Sequence, residues 1–275
     1  MVDDWGEDAT RRAKASLINT TVPNAARVAD YLYGGQNNFE ADRRAARALA
    51  STAPVVIDIA PAVRAFQRRV LRFLVTGAGI RQFLDIGTEL PLVGNTHEVA
   101  QSLAPESRIA YVDNDPMVLS HARALMKSAP GGAVGYVDAD LGNPAAIVAG
   151  AAETLDFSQP VAVLLLFTLA FVEDTADAAA AMSALMAAVP SGSYAAVYHL
   201  ASDLSPELEE AAMEWNKLMP AQPITLRSRS EFAGLMTGLE PVPPGLVPVT
   251  EWRPAATDPR FDHTVPVHGI VARKP

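Results

Sequence analysis

From residue 80 onward the chain alternates short, strongly apolar runs with segments of helical character, five times in succession. No other feature limits the fold as much. The runs lie at 80–86 (IRQFLDI), 109–112, 134–137, 161–167 (VAVLLLF) and 194–199. They have the length of strands rather than helices. The unbroken apolar run at 161–167 fits a parallel strand covered on both faces. Helix-start signals recur between the runs. Asn95 with Glu98 makes a capping box, and Asp115-Pro116 and Asn143-Pro144 each pair an N-cap residue with proline at the first helical position. Residues 177–189 are alanine-rich. This order predicts an α/β fold: a doubly wound parallel sheet whose right-handed crossovers put helices on both faces. Ser205-Pro206 and Ser228 with Glu231 open two later helices. Residues 265–273 (VPVHGIVAR) read as a last strand, with Pro266 at its start or edge.

The first third of the chain has a different pattern. Residues 1–22 are polar and aperiodic and read as a flexible arm. Residues 23–78 read as a helical N-terminal addition, a lid, and 79–275 as the sheet domain. Within the lid, Ile59, Val63, Phe66, Val70, Phe73 and Leu74 recur at helical spacing. Arg64, Arg68, Arg69 and Arg72 fall largely on other faces and read as a solvated surface. Gly77 and Gly79 end the block. With 22 Lys and Arg against 31 Asp and Glu, the net charge is −9, which disfavours a nucleic-acid partner. There is no cysteine, so disulfides, cysteine nucleophiles, thiolate zinc sites and iron–sulfur clusters are excluded. The start, MVDDWGED, lacks the apolar core of a secretory signal, and the longest apolar stretch, 161–172, is shorter than the ~20 residues of a membrane span. A cytoplasmic protein without a membrane partner is expected.

Ligands of an open parallel sheet bind beyond the carboxyl ends of its strands. Three successive strand ends here carry acids: Asp85 before Gly87, then Asp113-Asn114-Asp115, then Asp138 and Asp140. Carboxylates repel phosphates but suit ribose hydroxyls, an adenine amino group and a cation. The loop after the first strand, Gly87-Thr88-Glu89-Leu90-Pro91, lacks the second and third glycines of G-x-G-x-x-G, which disfavours a pyrophosphate. S-adenosylmethionine has no phosphate and carries a sulfonium, and it needs only a close backbone approach at Gly87.

The sequence resembles an actinobacterial family of S-adenosyl-L-methionine-dependent methyltransferase-like proteins. The resemblance rests on PNAARVADYLYGGQNNFEADR at 23–43, IRQFLDIGTELP at 80–91, GNTHEVAQ at 94–101 and YVDNDPMVLSHARAL at 111–125. DADL at 138–141, DFSQPVAVLLLFTLAFV at 156–172 and PSGSYAAVYHLASD at 190–203 continue it, so that it covers most of the chain. It implies the Rossmann-like class I methyltransferase fold with a seven-stranded, mostly parallel sheet, and S-adenosyl-L-methionine as cofactor. It further implies that Asp85 and Gly87 line the methionine moiety, with Thr88 in the same loop. Asp113 would accept from the ribose hydroxyls, Asn114 would flank the adenine, and Asp140 would accept from the adenine amino group beside Leu141. Phe167 and Thr168 would close the pocket, and Tyr31, Gly34 and Asn38 of the lid complete the expected cofactor-binding set. In two places the chain departs from the family pattern. Glu89 stands where the loop usually has a second glycine, and Ala170 where relatives often carry histidine.

Methyl transfer from a sulfonium is an in-line displacement, so alignment and exclusion of water do most of the work. A general base is needed only when the acceptor starts as a hydroxyl or ammonium. His199 and Tyr31 are the candidates from sequence. A small-molecule acceptor fits the aromatic lid and the acidic charge; the sequence does not fix the oligomeric state. Two other readings remain: a non-catalytic protein that binds or senses S-adenosylmethionine, and a nicotinamide-dependent oxidoreductase. No metal site is supported, since His97-Glu98 is followed by Gln101 where H-E-x-x-H needs histidine. His121 reads as a surface residue, His263 and His268 as flanking the last strand without the spacing of a metal-ligand pair, and Trp215 as core.

Overall fold

A computed structural model describes residues 19–275; most of the expected N-terminal arm, residues 1–18, lies outside the described residues. Asn24 opens the first helix, α1 (Ala25–Leu32), its side-chain oxygen accepting from the Arg27 N–H. Two more helices follow, α2 (Glu40–Thr52) and α3 (Val56–Arg72), the latter continuing into a π-helical turn, Phe73–Gly77. The alternating part begins with β1 (Gln82–Ile86), α4 (Thr96–Leu103), β2 (Arg108–Asp113), α5 (Pro116–Leu125) and β3 (Ala133–Asp138). It goes on with α6 (Pro144–Ala151), β4 (Ala162–Leu166), a 3-10 turn Thr168–Phe171, α7 (Thr175–Ala188) and β5 (Tyr194–Leu200). The chain ends with α8 (Pro206–Leu218), α9 (Arg229–Gly234), the two-residue strands β6 (Glu240–Pro241) and β7 (Val247–Pro248), and β8 (Val267–Arg273). The start signals act as the sequence suggests: Asp115 accepts from the Met117 N–H, Asn143 from Ala146, and Ser228 from Glu231.

The sheet path runs through seven strands in the order 3-2-1-4-5-8-6, with β7 also pairing with β8. β1 to β5 are mutually parallel, and β8 runs antiparallel to β5. The order reverses between β1 and β4, which opens a crevice at their carboxyl ends.

Successive side chains of a strand point to opposite faces, and here both faces are buried. Phe83, Ile109, Tyr111, Leu164, Tyr198 and Val271 join one core with α1 to α5 and α8. Their neighbours Leu84, Ala110, Val112, Leu165, Val197 and Ile270 join a second core with α6, α7 and α9. Burial of both faces is why β4 is apolar at every position. Among the described residues no single helix is long and apolar enough to cross a membrane.

Two sequence readings need correction. Arg69 is not on a solvated face. It is 8% exposed, donates from Nε to the Trp252 carbonyl at 2.7 Å and from Nη2 to the Val249 carbonyl, and pairs with Asp258. The helix turns it toward the C-terminal loop, whose carbonyls would otherwise be orphaned. His268 lies within β8 with Nε2 2.9 Å from Asp203, and His263 contacts Asp58 and Asp262. Residues 19–22, assigned to the arm, form a turn whose Asn19 and Val22 carbonyls accept from Arg27.

Replacing Arg69 with methionine leaves Asp258 and two carbonyls without their donor in a nearly closed site. The expected cost is about 3 kcal/mol, the scale of a broken buried ion pair. Thermal melting is the measurement; a solvated arginine would give a change within about 0.5 kcal/mol.

Candidate functional site

Beyond the carboxyl ends of β1, β2 and β4 lies a cavity of about 920 Å³. Gly87 makes the crevice possible. Its φ is +77°, and a Cβ there would stand 2.2 Å from Thr168 Oγ1, which itself donates to the Ile86 carbonyl at 2.5 Å. The ends of β1 and β4 therefore meet through a hydroxyl that only glycine leaves room for. Of the residues singled out from sequence, Gly87, Asp113, Asn114, Asp140, Leu141, Phe167 and Thr168 line this one cavity. Asp113 accepts from the Asp115 N–H at 2.8 Å, Asn114 Nδ2 donates to Asp140 Oδ2 at 2.6 Å, and Asp140 Oδ1 accepts from the Gly142 N–H at 2.8 Å. The far wall is α7, presenting Ala180, Ala181 and Ala184. The roof is α1 with Ala25, Ala26 and Ala29. It is fastened by Asn24 Nδ2 to Asp115 Oδ2 and by the Ala25 N–H to Gln222 Oε1, both at 2.9 Å.

Asp85 and Thr88 line a second, narrow pocket of about 30 Å³, with Arg64, Tyr33, Glu89 and Thr96. Asp85 Oδ2 accepts from Thr96 Oγ1 at 2.6 Å. Burial raises its pKa to about 7, opposed by the Thr96 hydrogen bond and Arg64. Burial likewise raises Asp113 to about 6. Arg64 is the cation of this pocket; it spans to Gln67 and the Val93 carbonyl and stacks over Tyr33.

Glu89 and Phe167 hold left-handed backbones, φ +60° and +81°, which side-chain-bearing residues rarely adopt. At Glu89 this turn sends the carboxyl inward. It borders the large cavity, the narrow pocket and an apolar crevice beneath the lid. Burial first, then Asp113 and Asp85, raise its pKa to about 8 against the pull of Arg64. Tyr33, Glu89 and Tyr198 line the narrow pocket and the crevice together, and burial drives both phenols above their ordinary range.

The structure does not bring four of the sequence candidates to the cavity. His199 points to the opposite face of the sheet from the lid. Its Nδ1 bonds the Leu200 carbonyl at 2.9 Å, its Nε2 meets Arg227 Nη1 at 2.8 Å, and its ring packs near Phe232. Burial lowers its pKa to about 4, with Arg227 adding to the shift. Because a guanidinium occupies its lone pair, this imidazole is not a base for an acceptor. Tyr31 lies two positions before Tyr33 on α1, hence on another side of the helix, and Tyr33 is the one that reaches the site. Gly34, with φ +79°, borders only an outer groove, and Asn38 Nδ2 is spent on Asp30 and the Gly35 carbonyl. Those lid polar groups close a turn. From sequence Arg64 reads as solvated surface, whereas it lines the narrow pocket with Tyr33 and Tyr198. The same pleat that places Asp85 on the lid face marks Tyr198, not His199, as the inward neighbour.

A family model described as S-adenosyl methyltransferase matches residues 11–275. Solved relatives include a DUF574 family protein from Streptomyces avermitilis MA-4680, 39% identical over 93% of this chain and 99% of that one, with a TM-score of 0.88. A candidate methyltransferase from Thermobifida fusca YX is 34% identical over 93% and 96%, with a TM-score of 0.85. The N-methyltransferase NodS from Bradyrhizobium japonicum WM9, solved with S-adenosyl-L-homocysteine, shares the fold at 14% identity over 85% and 97%, with a TM-score of 0.50. Among curated proteins nothing matches the sequence.

The raised carboxyls set a pH dependence. Asp85 and Glu89 hold their protons more tightly folded than unfolded, so they favour the fold at low pH and lose that contribution as pH rises through about 7 and about 8. His199 works the other way but has lost its unfolded-state proton above about pH 6.5. The melting temperature of the ligand-free protein is therefore expected to fall from about pH 6.5 to about pH 9. Glu89→Gln should flatten the upper part of that fall. Melting curves across the range check it; parallel profiles for the two proteins would contradict it.

Proposed function

Since the chain belongs to the S-adenosyl methyltransferase family, a family whose cofactor is S-adenosylmethionine, we propose that the cavity at the ends of β1, β2 and β4 is the donor site and that the acceptor is a small molecule. One observation carries this reading: Asp113, Asn114 and Asp140 converge from neighbouring strand ends on a cavity whose floor is opened by Gly87. Asp113 holds the two ribose hydroxyls, because a carboxylate accepts from both at once. Asp140 takes the adenine amino group, with Asn114 fixing its orientation through their mutual hydrogen bond. Leu141 and Phe167 supply apolar faces for the purine. In the narrow pocket, Asp85 matches an ammonium and Arg64 a carboxylate, the two ends of an amino-acid moiety. A cofactor ammonium there would also ease the cost of ionising Asp85 within the protein.

When bound, S-adenosylmethionine supplies a methyl group on a positively charged sulfur. The chain's own part is to align and to exclude water. Asp85 and Asp113 on the donor side favour the cationic donor over its neutral product, which helps the spent cofactor leave. The fixed roof of α1 keeps bulk water from the reacting atoms.

Calorimetry with S-adenosylmethionine and S-adenosyl-L-homocysteine tests the reading. Asp113→Ala is expected to weaken both by about 10- to 100-fold, the loss of a charge-assisted pair of hydrogen bonds. His199→Gln should leave both affinities in place. Binding by the wild type without label transfer from tritiated cofactor to any of a panel of small acceptors would favour a sensor instead. Failure of the wild type to bind either compound would reject the donor site.

A further inference from the structure

The apolar crevice beneath the lid adjoins the donor cavity at Glu89. Its walls are helical, with Leu32 of α1, Leu49 of α2, Ile59 of α3 and Trp215 of α8. Its polar residues Glu89, Tyr33 and Tyr198 also line the narrow pocket beside the donor cavity, so the polar side of the crevice is the side that adjoins it. The same Glu89 borders the large cavity, so a molecule in the crevice would present its polar end toward the donor site. The crevice holds about 80 Å³. A cavity that admits benzene is about 150 Å³, so the body that fits is a short alkyl group rather than a ring.

Charge selects the polar group. Glu89 has Asp85 and Asp113 for electrostatic neighbours and Arg64 as the opposing cation. Arg64 is already occupied by Gln67 and the Val93 carbonyl. A neutral hydroxyl leaves the buried Glu89 carboxyl protonated and offers it an ordinary hydrogen bond, whereas an ammonium compensates the ionised carboxylate and makes a stronger, charge-assisted one.

We propose that this crevice is the acceptor site and that Glu89 is its acid–base residue, receiving the ammonium of a short aliphatic amine. This rests on the neighbouring cavity being the methyl-donor site. The ammonium proton passes to the Glu89 carboxylate, which frees the nitrogen lone pair. The nitrogen then bonds to the methyl carbon while the carbon–sulfur bonding pair stays with sulfur. The products are an N-methylammonium, the neutral thioether and a proton that leaves Glu89 for solvent. Tyr33 and Tyr198 are positioning residues that hold the carboxyl against the crevice.

The test is calorimetry on the full chain saturated with S-adenosyl-L-homocysteine, using n-propylamine and propan-1-ol as probes small enough for the crevice. The amine is expected to bind at least about tenfold more tightly than the alcohol, and Glu89→Gln to lose at least about tenfold of the amine affinity, as when one partner of a buried charge pair is removed. The variant should keep its affinity for S-adenosyl-L-homocysteine, within about twofold of the wild type, which also reports that it is folded. Equal binding of alcohol and amine, no binding of the amine, or amine affinity unchanged in Glu89→Gln overturns the proposal while leaving the donor site standing. A fall in S-adenosyl-L-homocysteine affinity in Glu89→Gln as large as the fall in amine affinity assigns the carboxyl to the donor and also overturns it. If the wild type binds no S-adenosyl-L-homocysteine, the donor-site reading fails first and takes this one with it.

Discussion

The pleat of a sheet buried on both faces governs what every functional residue of this protein can touch. Alternate side chains of β1, β2, β4 and β5 enter different cores, one shared with the lid and one with α6, α7 and α9. A shift of one residue exchanges the two sets. Asp85 and Tyr198 meet the lid because they share a parity with Phe83 and Ala196. His199, one step further along the chain, is carried to the other side and is consumed there by Arg227. The narrow pocket and the crevice thus lie at the polar end of the lid-side core, while the large cavity crosses the strand ends and is walled on its far side by α7 of the other core.

The second constraint is electrostatic. Burial raises the proton affinity of three carboxyls, Asp85, Glu89 and Asp113, and the charge of Asp113 adds to the shift of the other two. Structural acids in a core are normally matched by a buried cation, as Asp42 is by Arg27 at 2.8 Å and Asp258 by Arg69. The site acids have only Arg64, at their margin. Such an unbalanced group stores a preference for positive charge, and a sulfonium or an ammonium satisfies it.

Much of this was legible in the residues. The strand–helix order, the caps at Asn95, Asp115, Asn143 and Ser228, and the acids at strand ends all appear where the pattern puts them, because they are local features with local causes. The missing glycines after Gly87 disfavoured a pyrophosphate loop from the residues alone. What the sequence did not reveal depends on tertiary placement. Choosing between Tyr31 and Tyr33, or between Tyr198 and His199, requires knowing which face the lid covers. Recognising Arg69 as an internal tie requires knowing that the loop around Trp252 folds back on α3. Glu89 stood out as an anomaly, but only its left-handed backbone reveals that it turns inward.

The two fastenings of α1, Asn24 on Asp115 and Ala25 on Gln222, carry a consequence for traffic. A ceiling bolted to the sheet on one side and to the segment after α8 on the other is no door. If the cavity is the donor site proposed above, its nucleoside comes and goes sideways, past Gly142 just before α6 and the exposed Ala180 and Ala184 on α7. Small side chains there keep the passage wide, and bulk added at that sill would slow exchange without touching a single group that grips the guest.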